Sequence, residues 1–339
     1  MRATESGSYD YELPKELIAS QPAQPADSSK LLVYDRKSGR ISHHIFKELP
    51  SLIPQNTHIF FNDTKVIKAR LFGRKSSGGK VELLINRPLE SGLFNVFIKG
   101  RVKPLTKISF GLGLEAEVVK LLDDGSREVR FFYQEKVLDF TSLLPFLERI
   151  GHVPLPPYID RADTKSDESS YQPLFAKKAG AVAAPTASLH FTPALLKEIK
   201  RDFNTSFITL HVGAGTFKPV EVEDITKHKM HSEYFEIPKK SAKIIDSDTK
   251  ILAVGTTVTR TIEYYVRTKK LHGECDLFLN PINPPKRVDY LLTNFHLPKS
   301  TLIMLVASFI GIEKTMEIYK TAVNNRYRFY SYGDAMLIL

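Results

Sequence analysis

From about Asp63 to Arg149 the chain reads as short apolar segments punctuated by glycines: KVELLI, LFNVFIK, the region around Ile108, LEAEVVKLL and REVRFFY. None carries the 3.6-residue period of an amphipathic helix, and several alternate apolar with polar. A run of short strands with turn residues between them folds as a small β-barrel or a sandwich, and few other architectures accept it. The segment VLDFTSLLPFLERIG then has helical spacing and closes the unit. The same region is basic: Lys65 to Lys107 holds eleven lysines and arginines against two carboxylates, Glu82 and Glu90. Such a surface suits a polyanion, because phosphate contacts are driven by released counterions. A solvated charged face is the alternative.

The flanks have a different pattern. Pro14 to Ser20 is predicted as a short helix, LLVYD and ISHHI as paired strands, and HIFFNDTKVIKARLFG breaks at Asn62-Asp63-Thr64. The break places one junction near Asp63 and another near Arg149. The expected organisation is therefore a discontinuous main domain, 1–62 and 150–339, with an inserted β-barrel domain, 63–149. GHVPLPPYI is too proline-dense for regular structure, since each proline removes a backbone donor. The polar segment Asp160 to Ser170 is expected to be exposed and mobile. TPALLKEIKRD opens with a threonine cap and a proline at the first helical position. ILAVGTT followed by TTVTRTIEYYVR is a strand, a turn and a helix, the repeating unit of α/β proteins.

Chemistry concentrates between Phe207 and Ile237, FITLHVGAGTFKPVEVEDITKHKMHSEYFEI. Gly213-Ala214-Gly215 after a strand can turn tightly and present bare N–H groups to an anion or a nucleobase. A dinucleotide or methyltransferase loop would open a helix on those glycines; Phe217-Lys218-Pro219 predicts extended chain instead. His228 and His231 share a face on a helix but not on a strand, and a zinc site would need a third ligand. They read either as solvated histidines or, with Glu233, as an acid/base cluster, since histidine titrates nearest neutral pH. In GAVAAPTASLHFT, small side chains admit a ligand near the backbone while Thr186, Ser188 and His190 supply polar groups; close strand packing around a core histidine is the other reading. Arg260 can meet a carboxylate or phosphate, or form a structural salt bridge.

A single cysteine, Cys275, excludes an intrachain disulfide and fits a reducing compartment. MRATESGSYDYELP has no apolar signal core, and Leu302 to Ile312 is too short to span a bilayer. These features predict a soluble, cytoplasmic protein, and a net charge of +10 favours an anionic partner.

Taken together and in order, GHVPLPPYI, GAVAAPTASLHFT, LHVGAGTFKPV, HKMHSEYFEI, VGTTVTR, LLTNFHLPKSTL and FYSYGDAMLI resemble the S-adenosylmethionine:tRNA ribosyltransferase-isomerases of queuosine biosynthesis. DYELPKELIA and FNDTKVIKARLFG match as well, so the likeness runs from about Asp10 to Leu339. It implies a monomer with a mixed α/β main domain interrupted by a small antiparallel β-barrel. It implies transfer and isomerisation of the ribosyl part of S-adenosylmethionine onto 7-aminomethyl-7-deazaguanine at the wobble position of tRNA. The products would be epoxyqueuosine in tRNA, adenine and methionine, with no metal or permanent cofactor. On this basis His190, His211, His228, His231, Glu233, His296 and Asp334 are expected to line the catalytic site. Gly213, Gly215, Thr216, Thr256, Thr257 and Arg260 are expected to hold S-adenosylmethionine, Thr186 and Asn294 to orient the nucleobase, and Lys68, Arg70 and Lys80 to meet tRNA. Three places depart from the family pattern: Ser188 where glycine is expected, Val258 where serine is expected, and Leu279 to Asp289 in place of an aromatic, glycine-bearing segment. A tRNA methyltransferase or a non-catalytic RNA-binding protein are the alternative functions.

Overall fold

The structure, a computed structural model, describes residues 2–217 and 220–339, the side chains of Thr216 and Phe217 excepted. Its main body is a nine-stranded mixed sheet. At its centre, Asn204–Leu210, Thr57–Asn62, Lys250–Val254 and Tyr290–Asn294 lie side by side and parallel. Ala335–Ile338 runs antiparallel to the last of these, then Lys30–Asp35 and Arg40–Ile45 complete that side. Glu233–Glu236 and His272–Cys275 extend the other edge antiparallel.

These central strands are apolar nearly throughout, as strands covered on both faces must be. Their side chains divide between two cores with a period of two: Ile59, Phe61, Leu252 and Val254 point to one face, Phe60, Ile251 and Ala253 to the other. The helix Pro193–Asp202 covers the first face through Leu195 and Ile199, with Thr192 capping it by accepting from the Leu195 N–H at 3.3 Å. Lys239–Ile245 and Thr256–Thr268 cover the second. Thr301–Ile310 and Ile312–Asn324 pack on a third apolar cluster, which includes Leu32, Leu291 and Met336.

The second sheet resolves the choice between barrel and sandwich. Arg70–Lys75, Lys80–Pro88, Leu93–Lys99, Lys107–Gly111, Leu114–Leu121 and Arg127–Tyr133 pair antiparallel in a ring, the last strand bonding both Leu93–Lys99 and Leu114–Leu121. Closure leaves no free edge among these six. The alternating residues seen in the sequence fill its interior: Leu71, Leu83, Val96, Ile108, Val118 and Phe131. Helix Phe140–Ile150, capped by Asp139 at the Ser142 N–H, adds Leu143 and Leu147 to that interior. The chain leaves the main sheet at Asn62 and makes a short parallel pairing, Thr64–Val66 with Lys178–Ala181, beside the barrel.

Two local expectations are corrected. Pro14 to Ser20 holds only a 3-10 turn, Lys15–Leu17. The Asp160 to Ser170 segment is largely exposed, as expected, but it is anchored at Asp167, which is buried. Arg161 donates to it twice, at 2.7 and 2.8 Å, and the Thr164 backbone and Tyr332 hydroxyl also donate to it. Burial alone would raise the Asp167 pKa, but these donors outweigh it and hold the group at about 2.

Candidate active site at the strand ends

The four parallel strands end together, and their carboxyl ends carry most of the polar residues singled out above. Ligands of open α/β sheets bind there, because the following loops diverge and leave a crevice. Leu210 leads into His211 and Gly213, Asn62 into Thr64, Val254 into Gly255 and Thr256, and Asn294 into His296. Two cavities occupy the crevice.

The narrow one is lined by Thr186, Gly255, Thr256, Thr257, Asn294 and His296, with Tyr158 and Tyr330 beside them. Helix Thr256–Thr268 begins here without a side-chain cap, so its first N–H groups face the cavity's side of the fold. Gly255, at φ 96°, makes the turn from strand to helix in a conformation that a Cβ would strain. Asn62 reaches across from the neighbouring strand to Thr257 Oγ1 at 3.3 Å and to the Leu210 carbonyl at 2.9 Å. Tyr330 is held at φ 73°, unusual for an aromatic residue, and its ring lies 3.9 Å from that of Tyr158. His296 hydrogen-bonds Thr293 Oγ1 at 2.8 Å, and burial lowers its pKa to about 3.

The wider cleft, about 1080 Å³, lies between the barrel and the edge of the main sheet. His211, Gly213, Gly215, His228, His231 and Glu233 line it from the sheet, and Asn86, Asn95 and Asp124 from the barrel. His211 Nδ1 is bonded to Thr64 Oγ1 at 2.7 Å and its ring stacks on Tyr234. Burial, with Lys178 nearby, drops its pKa to about 4, so it is neutral at pH 7. Among the described residues nothing bonds its Nε2. Two glycines are explained by these rings: a Cβ on Gly180 would come within 2.7 Å of His211, and one on Gly215 within 2.7 Å of His231. His228 packs edge-on against Phe278, and burial lowers its pKa.

The Gly213 and Ala214 N–H groups are not bare, contrary to the sequence reading. Gly213 donates to Glu233 Oε1 at 2.9 Å and Ala214 to Asn86 Oδ1 at 3.1 Å. Asn86 begins a chain that the sequence did not suggest. Its Nδ2 donates to Asn95 Oδ1, Asn95 Nδ2 to Ser126 Oγ, and Ser126 to the Asp124 carboxylate, at 2.9, 2.8 and 2.6 Å. Every bond in it points the same way, from the Ala214 backbone to a barrel carboxylate. Thr216 follows on this turn, and its side chain lies outside the described residues.

Four other expected site residues line neither cavity or are spent elsewhere. Arg260 is buried and ion-paired with Glu233, and its remaining reach goes to the carbonyls of Leu277 and Cys275, so it has no fork left for a donor carboxylate. Asp334 is buried and accepts from the Lys30 and Arg328 backbones and from the Arg328 guanidinium, which makes it a clasp between strands rather than a base. His190 is buried between Ser29 and Asn294, at 2.8 and 3.0 Å, and stacks on Phe46. Asn294 gives its amide to the Tyr330 and Ser331 carbonyls, so its oxygen faces His190. That requires the proton on His190 Nε2, with Nδ1 accepting from Ser29, and burial keeps the ring neutral with a pKa of about 4. His190 therefore holds Asn294, and Asn294, so engaged, presents the cavity with little free hydrogen-bonding capacity.

On the barrel, Lys68 is paired with Glu168, and Arg70 with Glu82 and the Leu155 carbonyl. Lys80 is exposed and makes no ion pair among the described residues. The family departures are also placed. Val258 points into the apolar core, away from the narrow cavity, so a serine there would not reach a ligand. Ser188 is buried with no partner for its hydroxyl. Leu279 to Asp289 is stapled to the helix by Glu263, which accepts the N–H groups of Lys286, Arg287 and Val288. Among the described residues no cluster of histidine, cysteine and carboxylate could hold a metal ion, and no helix is long and apolar enough to cross a membrane.

An α/β sheet with a strand-end crevice, facing a closed β-barrel across a histidine-lined cleft, defines the structural class of this protein. The chain belongs to the queuosine biosynthesis protein family, whose model matches residues 6–338. It is 69% identical over 332 residues to an S-adenosylmethionine:tRNA ribosyltransferase-isomerase of Nitratiruptor sp., with 98% of each chain covered. To the enzyme of that name from Aliarcobacter butzleri it is 62% identical, again over 98% of each. It also resembles the crystal structure of an S-adenosylmethionine tRNA ribosyltransferase from Thermotoga maritima, at 33% identity and a TM-score of 0.55, covering 98% of this chain and all of that one.

Proposed function

We propose that this protein is an S-adenosylmethionine:tRNA ribosyltransferase-isomerase. It transfers and isomerises the ribosyl group of S-adenosylmethionine onto 7-aminomethyl-7-deazaguanine at the tRNA wobble position, releasing adenine and methionine. The near full-length identity to enzymes of that name carries this reading, and the two adjoining cavities supply a place for each substrate.

The donor's adenosine enters the narrow cavity, against Gly255, Thr256 and Thr257, where an open helix start and small side chains allow close approach. Thr186 and His296 complete its walls. The tRNA nucleotide enters the wider cleft, so that the aminomethyl group and the ribosyl carbon meet near Val212, whose neighbours His211 and Gly213 face the cleft while Val212 itself lines the narrow cavity. The sulfonium acidifies the hydrogens of its 5′-carbon, and removal of one begins expulsion of adenine, which leaves as it gains a proton. The neutral amine then attacks, and methionine departs as the epoxide closes.

His211 is the proton acceptor on this reading: it is neutral, fixed by Thr64 and open at Nε2. His228 and His231, which line the wider cleft, exchange protons with the amine. Glu233 and Arg260 act together by fixing the Gly213 turn. We assign 63–149 to the inserted barrel domain and the remainder to the catalytic domain. The test is product analysis with S-adenosylmethionine and tRNA carrying the aminomethyl base. Adenine, methionine and a ribosyl-derived addition to tRNA are expected, and S-adenosylhomocysteine in their place would refute the proposal. His211→Ala should lower kcat by about 10²-fold or more, the usual scale of a lost acid/base group, and an unchanged kcat would remove His211 from the mechanism.

A further inference from the structure

Lys68 and Arg70 spend their charge inside the protein, yet the barrel keeps a cationic surface elsewhere. Arg74, Lys75, Lys80, Lys99, Arg101, Lys103 and Lys107 make no ion pair among the described residues, and all but the half-buried Lys75 are exposed. The fold gathers them. Arg74 faces Lys80 across one strand pair and Ser109 across the next. Lys75 Nζ donates to the Arg101 carbonyl at 3.0 Å, which brings the Gly100–Thr106 loop alongside. Three carboxylates border the group: Glu82 is taken by Arg70, Glu115 accepts from Ser109, and Glu117 stands opposite Lys107.

The position of this surface relative to the cleft follows from strand geometry. Asn86 lines the cleft and Lys80 is six residues earlier on the same strand, which at about 3.3 Å per residue is roughly 20 Å away. On the neighbouring strand Phe97 lines the cleft and Lys99 is only two residues on. By register Lys99 stands opposite Glu82, nearer Lys80 than Asn86, so the cations form a short track over the far part of the barrel that begins two residues beyond the cleft-lining Phe97. Phe72 lies on the same outer face, between Arg70 and Arg74 and opposite Glu82, and is 54% exposed.

We propose that this track is the docking surface for the duplex stem of the substrate RNA, holding its backbone phosphates while the unpaired wobble nucleotide occupies the cleft. This rests on the tRNA reading above. A cleft that receives one unpaired nucleotide leaves the adjoining stem to run outward over the protein, and the track supplies unpaired charge along that path. Lysines and arginines without rigid partners read phosphate, not sequence, so the surface supplies affinity common to every tRNA that carries the modified base. Each neutralised phosphate contributes a slope of roughly −0.9 to log K against log salt for a duplex.

The test uses the full-length enzyme with Arg74→Ala, Lys80→Ala and Arg101→Ala combined. The KM for tRNA should rise at least about tenfold and the salt slope of binding to unmodified tRNA should flatten by about 2 to 3. The kcat at saturating tRNA and the KM for S-adenosylmethionine should hold. A second variant, Arg74→Lys with Arg101→Lys, should keep wild-type binding, since phosphate needs only the charge. A seven-nucleotide RNA of the anticodon loop alone should bind wild type and triple variant equally. Unchanged tRNA KM and slope in an enzyme that turns over normally would overturn the track and leave the reaction standing. So would failure of the lysine variant, or equal loss with the loop fragment. Absence of turnover in the wild type would instead overturn the reaction.

Discussion

Gly213 is held from two sides, by Glu233 through its N–H and by Asn86 at the next peptide. An added Cβ would lie 3.3 Å from Asn86 Oδ1, so even alanine presses on the arrangement. The residue types at this turn were legible in the sequence, but their partners were not. Asn86 is 128 positions from Ala214, and no local pattern marks an asparagine as one end of a polarised chain. Asn86→Ala leaves the Ala214 N–H and Asn95 Oδ1 unpaired, a cost of about 1–3 kcal/mol. We expect kcat to fall with a smaller change in the KM of either substrate, because the turn moves while the walls stay. Asn86→Asp keeps the acceptor but loses the amide, so it should hold an intermediate rate; equal rates for wild type and Asn86→Ala in a steady-state assay would show the chain to be structural only. The same limit explains His190, Arg260 and Asp334: a polar residue in an apolar motif signals a buried network or a catalytic group equally, and only the fold separates them.

The elements themselves were easier to read, since periodicity is local. The barrel strands, the Thr192 cap, and the strand-turn-helix through Gly255 stand where the sequence placed them. Closure of the barrel was not legible, because the ring depends on Arg127–Tyr133 pairing two strands at once. Buried histidines on several elements give the main sheet a pH dependence. His190, His211 and His296 have pKa values lowered to about 4, 4 and 3 by burial. Between those values and the ordinary 6.5 the unfolded chain binds more protons than the folded one, so stability rises with pH there and is lost as pH falls from about 6.5 toward 4. Each histidine contributes a slope of up to about 1.4 kcal/mol per pH unit. Urea denaturation from pH 7 to 4.5 should show that loss, and His190→Gln should remove about one proton from the slope. A slope unaltered by the substitution would mean that His190 is protonated in the folded state.

At the scale of the molecule, the apolar interior is divided. The barrel has its own cluster, and the main sheet has clusters on each of its faces. Between the two bodies run the short Thr64–Val66 pairing, the Asn86 to Ala214 bond, a backbone bridge of Arg70 with His152, the Lys68–Glu168 and Arg87–Glu274 ion pairs, and contacts of Ala179, Val182 and Ala214 with the barrel interior. This junction is mostly polar and leaves each body its own apolar core, so each is expected to unfold in its own transition. Leu83, fully buried in the barrel, and Leu252, fully buried in the main sheet, separate them. Leu83→Ala should cost about 2–5 kcal/mol in the barrel transition and Leu252→Ala a similar amount in the other. S-adenosylmethionine, which the proposed function places at the strand ends, should raise only the main-sheet transition by mass action, as RT ln(1 + [L]/Kd). Differential scanning calorimetry of the two variants with and without the donor checks this. A single transition lowered alike by both substitutions would mean that the cleft is a rigid seam, and that the enzyme admits tRNA without relative motion of its two bodies.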